Sequence, residues 1–177
     1  MYDIGRSKRA SHAYEFDQVA IVPARRTRGT EEVNLTWRID AITLEFPMVA
    51  APMDSVMSPA TAIEMGRLGG LGVLNLEGLW TRYDDPQPIL DELAAITDDV
   101  TATKRMQLVY AEPIKAELIR DRMAQIRESG VPVAGSLSPN HAQEFADVVV
   151  KAAPDFFVIR GTTVSAEHVS SVGQALD

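Results

Sequence analysis

"PMVAAPMDSVMSPATAIEMGRLGGLGVLNLEG", residues 47–78, decides the fold. Pro47 to Ala51 is a short apolar run that reads as a strand. Ser58-Pro59 follows it: a serine hydroxyl can accept from the free amides of a helix N-terminus, and proline fits the first turn, where its missing N–H costs nothing. Ala62, Ile63, Met65, Gly66 and Leu68 then share one helical face, and Gly69-Gly70 closes the helix. Leu71 to Leu76 is a second apolar run, hydrophobic throughout, as a strand in a parallel sheet covered on both faces should be. The stretch is a β-α-β unit.

The same grammar continues outward. A helix is predicted from Pro88 to Ile96, then an acidic turn at Asp98-Asp99, then a second amphipathic helix from Pro113 to Glu128. In that helix Ile114, Leu118, Ile119, Met123 and Ile126 form the buried face, and Gly130 is the stop. Val109-Tyr110 reads as either a short strand or the end of a loop. Val131 to Gly135 is the third strand, leading into Ser138-Pro139 and a helix with Ala142, Phe145, Ala146, Val149 and Val150 on one side. The Ser-Pro-x-x-Ala pattern of residues 58–62 thus returns at 138–142, each time directly after a strand. Phe156 to Ile159 is the fourth strand, followed by Arg160-Gly161-Thr162-Thr163, with Ser165 as the cap of a last helix. Residues 1–46 make an N-terminal arm and 47–177 carry the β-α units. Such units build either half of a (β/α)8 barrel, which when complete takes roughly 250 residues, or a doubly wound open sheet.

Composition narrows the function. With 177 residues and 46% hydrophobic content the chain should be globular, and a net charge of -8 argues against nucleic acid as a partner. Lys8-Arg9 and Arg25-Arg26 with Arg28 lack interleaved aromatic residues and read as solvated loop. Cysteine is absent, which excludes disulfides, thiolate metal sites and a cysteine nucleophile within these residues. The N-terminal stretch has no apolar signal-like core and no run is long enough to span a membrane, so a soluble, cytoplasmic protein is expected. His12, His141 and His168 are spread without ligand-like spacing, no metal site is expected, and no Ser-His-Asp order stands out.

In either parallel architecture, reactive groups gather at the carboxyl ends of strands. That rule selects Met53, Asp54 and Ser55, then Asn75 and Glu77, then Ser136 and Ser138, and finally Arg160 to Thr163. Each type also serves as a cap or turn former, and Met53 would equally suit core packing. Gly70-x-Gly72 is not a dinucleotide loop, because it closes a helix and opens a strand instead of the reverse.

Residues 47–78, with Pro-Met-Asp followed by Gly-Gly-x-Gly-Val, closely resemble the first two barrel strands of the IMP dehydrogenase/GMP reductase family. "YEFDQVAIVPAR" (14–25) is similar to that family's N-terminal arm, and "PDFFVIRGTTVSAEHVSSV" (154–172) to its fourth strand and cofactor-facing loop. The resemblance implies the N-terminal half of a (β/α)8 TIM barrel without CBS modules, from an enzyme that takes a purine nucleotide monophosphate and NAD or NADP. It implies IMP oxidation to XMP with NAD, or alternatively GMP reduction with NADPH, with a monovalent cation in the intact enzyme and assembly as a tetramer or larger. By similarity Ala51, Met53, Asp54 and Asn75 would border the substrate, and Arg160, Gly161 and Thr162 the cofactor.

Two departures stand out. Arg160 replaces the acidic residue that ends the family's fourth strand, so a carboxylate-to-ribose bond cannot be made there; its fork of donors should meet a phosphate or a neighbouring acidic side chain instead. The family's cysteine loop, cation site, phosphate-binding loops and flap lie in a second half that these residues do not match, so no catalytic residue is assigned. The chain alone is expected to be inactive, as a fragment, a truncated gene product or one half of a split barrel, or else to be a non-catalytic assembly or regulatory subunit, and to self-associate through unpaired sheet edges.

Overall fold

The computed structural model describes residues 2–5, 8–23 and 25–161. Thr162, Thr163, Ser165 and the expected last helix lie outside the described residues. The chain forms two compact units, residues 1–34 and 35–177. In the first, β1 (Tyr2–Gly5) pairs antiparallel with β2 (Lys8–Ala10), and single 3-10 turns occur at Phe16–Gln18 and Thr30–Glu32.

The second unit opens with an antiparallel hairpin, β3 (Trp37–Ile39) and β4 (Ile42–Leu44). Next comes β5 (Val49–Ala50), α1 (Pro59–Arg67), β6 (Leu71–Asn75), α2 (Gln87–Ala95), α3 (Asp99–Val109) and α4 (Ala116–Glu128). The series ends with β7 (Ala134–Leu137), α5 (Pro139–Glu144), α6 (Ala146–Ala152) and β8 (Phe156–Ile159). The last four strands form one parallel sheet in the order β5-β6-β7-β8.

That order separates the two architectures left open by the sequence. A doubly wound sheet reverses direction at a switch point, whereas here each strand is added beside its predecessor, as in a barrel. The sheet is also curled. If it were flat, three strand spacings would put the ends of β5 and β8 about 14 Å apart, beyond an arginine's reach. Yet Arg160 Nη1, just past β8, donates to the carbonyl of Pro52, just past β5, at 2.8 Å.

Local chemistry explains the elements. Ser58 Oγ accepts the amide of Thr61 at 3.1 Å while Thr61 Oγ1 accepts that of Ser58 at 2.6 Å, a reciprocal cap that starts α1. Gly72 lets α1 lie directly on the sheet: a Cβ there would stand 2.6 Å from Ala62 Cα. Behind the sheet, Leu74, Leu76 and Leu137 pack with Ile119, Met123 and Ile126 of α4 in one buried cluster.

Several expectations are corrected. Residues 99–109 are helical, and Val109-Tyr110 is the end of α3, neither strand nor loop. Asp98 accepts the Thr101 amide at 2.7 Å, so the acidic turn is a helix cap; α3 carries only one buried residue, Val109, and hence no periodic stripe betrays it. Pro113 and Ile114 precede α4, which begins at Ala116. Leu68 is the C-cap of α1, past its buried face, and is 67% exposed. The third strand starts at Ala134, not Val131, and the helix after Ser138-Pro139 is broken at Phe145 (φ -104, ψ 12). Among the described residues no helix is long and apolar enough to cross a membrane.

Candidate functional site

The carboxyl ends of the curled sheet converge on a cleft of about 800 Å³, whose lining includes Met53, Asp54, Asn75, Trp80, Tyr110 and Arg160. Helices α2 and α3 supply its apolar wall through Leu90, Leu93 and Met106. Two carboxylates organise the rim.

Asp54 belongs to the turn after β5. The amides of Val56 and Met57 both donate to the carbonyl of Met53, at 2.9 and 2.7 Å, so the chain doubles back at once. The Asp54 carboxylate is then held by neutral donors: the Leu79 amide at 2.8 Å and the Tyr110 hydroxyl at 2.5 Å on Oδ2, with Asn75 Nδ2 at 3.4 Å on Oδ1. Gly78 makes room for it, since a Cβ at that position would stand 2.0 Å from Asp54 Oδ1. Burial, and then the hydrogen bond to and charge of Asp54, push the Tyr110 phenol above its ordinary range, so it stays a donor at neutral pH. Met53, on the same turn, is 51% exposed and faces the cleft; it is not core filler.

Glu77 stands just past β6 with its side chain only 14% exposed. Its Oε2 accepts from the Ser138 amide at 3.3 Å, Ser138 Oγ at 2.9 Å and His141 Nδ1 at 2.5 Å. Its Oε1 accepts from Arg160 Nη2 at 2.7 Å. Burial raises the carboxyl pKa, but the hydrogen bonds of His141, Arg160 and Ser138 together outweigh it and hold the group at about 2. Through Glu77 and the Pro52 carbonyl, Arg160 ties together residues beyond β5, β6 and β8.

Ser138 and His141 do not form a hydrolytic triad with Glu77. Such a triad needs the imidazole to bridge serine and carboxylate through opposite nitrogens, whereas here Ser138 Oγ (3.3 Å) and Glu77 both approach Nδ1. Among the described residues no group of three or more acidic or histidine side chains could hold a metal ion.

Of the residues singled out by sequence, Met53, Asp54, Ser55, Asn75 and Arg160 share the cleft. Ala51 is exposed just before it, and its carbonyl accepts the Met53 amide at 2.9 Å. Gly161 follows Arg160 and passes close to Pro139, 3.1 Å from where a Cβ would lie, while Thr162 is outside the described residues. Ser136 is wholly buried and Ser138 is turned onto Glu77. Of the two partners considered for Arg160, the acidic side chain is present: it is Glu77. Tyr110, Trp80 and His141 carried no local signal, because only the packing of α3, of the 3-10 turn Leu79–Thr81 and of α5 brings them to the rim; a tyrosine just past a helix is otherwise ordinary.

Residues 13–172 match the model of the IMP dehydrogenase / GMP reductase domain. An uncharacterized oxidoreductase of Mycobacterium tuberculosis is 44% identical over 181 aligned residues, covering 100% of this chain and 48% of the relative. The inosine-5'-monophosphate dehydrogenase of Staphylococcus aureus is 31% identical over 130 residues, 72% of this chain and 25% of that enzyme. The crystal structure of an IMP dehydrogenase/GMP reductase-like protein from Corynebacterium glutamicum superposes with a TM-score of 0.80 at 42% identity, covering 95% of this chain and 46% of that one. The chain therefore spans about half the length of the M. tuberculosis and C. glutamicum relatives.

Proposed function

The chain belongs to the IMP dehydrogenase/GMP reductase family, and from that premise we propose that it forms the first half of the barrel of a cytoplasmic oxidoreductase that converts IMP to XMP with NAD. The observation that carries this reading is convergence: Met53, Asp54, Asn75 and Arg160, separated by up to 107 positions in the chain, meet in one cleft at the strand ends. Met53 would pack on the purine ring, Ala51 and Asn75 would border the nucleotide, and Asp54 would hold the turn that presents them.

Arg160, Gly161 and Thr162 would border the nicotinamide cofactor. The residues suit such a group: an apolar wall from α2 and α3 for a flat ring, and a guanidinium whose side chain is 42% exposed for its anionic part. When bound, the cofactor supplies a hydride acceptor. The chain's own part is to bind and orient, because with no cysteine among its 177 residues it cannot supply the thiolate that the family's chemistry uses. That nucleophile, like a monovalent-cation site, would come from further polypeptide, whose strands would also pair the sheet edges at β5 and β8, and the complete barrel would assemble into a tetramer or larger.

GMP reduction with NADPH is the second reading. It is favoured by the segment between β6 and β7, where residues 80–105 form a turn and the helices α2 and α3 with no room for an inserted regulatory module. A non-catalytic assembly subunit is the alternative outside enzymology. Calorimetry of the purified chain with IMP, GMP, NAD and NADPH, followed by turnover assays with the complementary half of the M. tuberculosis relative added, separates these. Nucleotide binding without turnover, and turnover restored by the added half, is the expected result. Substrate choice then distinguishes dehydrogenase from reductase, and failure to bind any of the four ligands would overturn both.

A further inference from the structure

Glu77 is fully committed within the protein, and this changes what the rim can recognise. Its two oxygens take four donors from Ser138, His141 and Arg160. Little acceptor capacity is left for a ligand hydroxyl. Arg160 is in the opposite condition: of its five N–H groups, one goes to Pro52 and one to Glu77, leaving three without a partner among the described residues. Its two anchors lie on different strand ends, so the guanidinium plane is fixed and not free to swing with its long stem.

Arg160 is also the only cation lining the cleft among the described residues. Two carboxylates line it as well, but Asp54 is turned onto Tyr110, Leu79 and Asn75, and Asp91 accepts Gln87 Nε2 at 2.8 Å. On a chain of net charge -8, an anionic ligand needs a local, oriented donor fork to be held at all.

We propose that Glu77 is a positioning residue that aims Arg160 into the cleft, and that the pair selects a ligand presenting a phosphoryl oxygen at that point over one presenting a sugar diol. A phosphoryl group is acceptor-only and matches the donors that Arg160 has to spare, whereas a diol beside Arg160 must also donate and finds Glu77, the acceptor there, already taken. The identity of the ligand rests on the proposed function; the anion site itself does not.

The test is calorimetry on the whole chain with inorganic pyrophosphate, IMP, inosine, NAD and NADP. IMP against inosine reports a nucleotide 5'-phosphate, and NADP against NAD a phosphate on the dinucleotide ribose. Arg160→Ala is expected to weaken every phosphoryl contact at the site by about tenfold or more while changing inosine about twofold at most. Glu77→Gln should weaken the same ligands by about three- to tenfold, and the double variant should be no weaker than Arg160→Ala alone, because Glu77 acts only through Arg160. Glu77→Asp, which keeps the charge but draws it back from Arg160, repeats the test should the glutamine variant fail to fold. Additive losses in the double variant, equal losses for inosine and IMP, or no binding of any phosphorylated probe would overturn the proposal. Binding of pyrophosphate without any purine ligand would uphold the anion site and overturn the proposed function instead.

Discussion

Asp54 and Glu77 lie at neighbouring strand ends of one rim and are wired in opposite ways. Asp54 takes an amide, an amide side chain and a phenol, all neutral, from Leu79, Asn75 and Tyr110. Glu77 takes a guanidinium and an imidazole along with a serine. The first carboxylate closes a turn and fixes backbone; the second fixes the direction of a cation that still has donors to spare. Chain position alone does not distinguish a structural carboxylate from one that shapes a binding site. The partners do.

If that contrast is right, disturbing Asp54 should cost stability with little affinity, and disturbing Glu77 should cost affinity as well as stability. The largest effect is expected for Gly78→Ala, whose new Cβ would displace a carboxylate held by three donors. Since Gly78 has an ordinary extended conformation, the loss of about 2–4 kcal/mol comes from the collision and the broken bonds, and urea denaturation would measure it. An alanine variant as stable as the parent would break the comparison.

Acid should act on the other carboxylate. The Glu77 pKa is lowered to about 2 in the folded chain from an ordinary 4.5. Its contribution is therefore complete above the unfolded value and is lost as pH falls from there through the folded one. The loss amounts to at most about 3 kcal/mol, less what solvent screens. Glu77→Gln should flatten the stability profile in that acid window, and an unchanged profile would show that the network is not formed.

Asp54→Asn is next, with an expected loss of about 1–3 kcal/mol as the acceptor that serves Tyr110 and Leu79 loses its charge. At neutral pH it should lose about as much stability as Glu77→Gln, whereas its affinity for IMP should fall less. The smallest effect, about 1 kcal/mol, is expected for Tyr110→Phe, which removes one of the three donors. Above pH 10 that variant should instead be relatively less penalised, because the raised phenol pKa makes the parent lose stability as alkali ionises the unfolded chain first.

The readable part of this architecture was whatever is written in local spacing. Strand β8 (Phe156–Ile159) and the buried face of α4, Leu118, Ile119, Met123 and Ile126, follow directly from apolar runs and helical periodicity. Helix α3 was invisible because its sequence, DVTATKRMQLV, has no apolar stripe and is held by a cap and by the cleft wall. The two Ser-Pro pairs make the same point within one motif. Ser58 caps α1 as its position suggests, but the hydroxyl of Ser138 is drawn away to Glu77, sixty-one residues earlier. No local rule could separate the two, since the competitor for the second hydroxyl arrives only with the fold.

The amino-acid sequence by itself determined the alternation of strand and helix, the absence of a thiol nucleophile, and which residues stand at the strand ends, because these depend on side-chain type and near-neighbour spacing. Tertiary structure alone decided that the sheet curls in one direction, that Arg160 bridges the ends of β5 and β6, and that one acidic rim residue anchors a turn while the other orients a cation. Hydrogen bonds between groups far apart in the chain exist only once closure brings them within about 3 Å, and that closure is a property of the packed sheet, not of any segment in it.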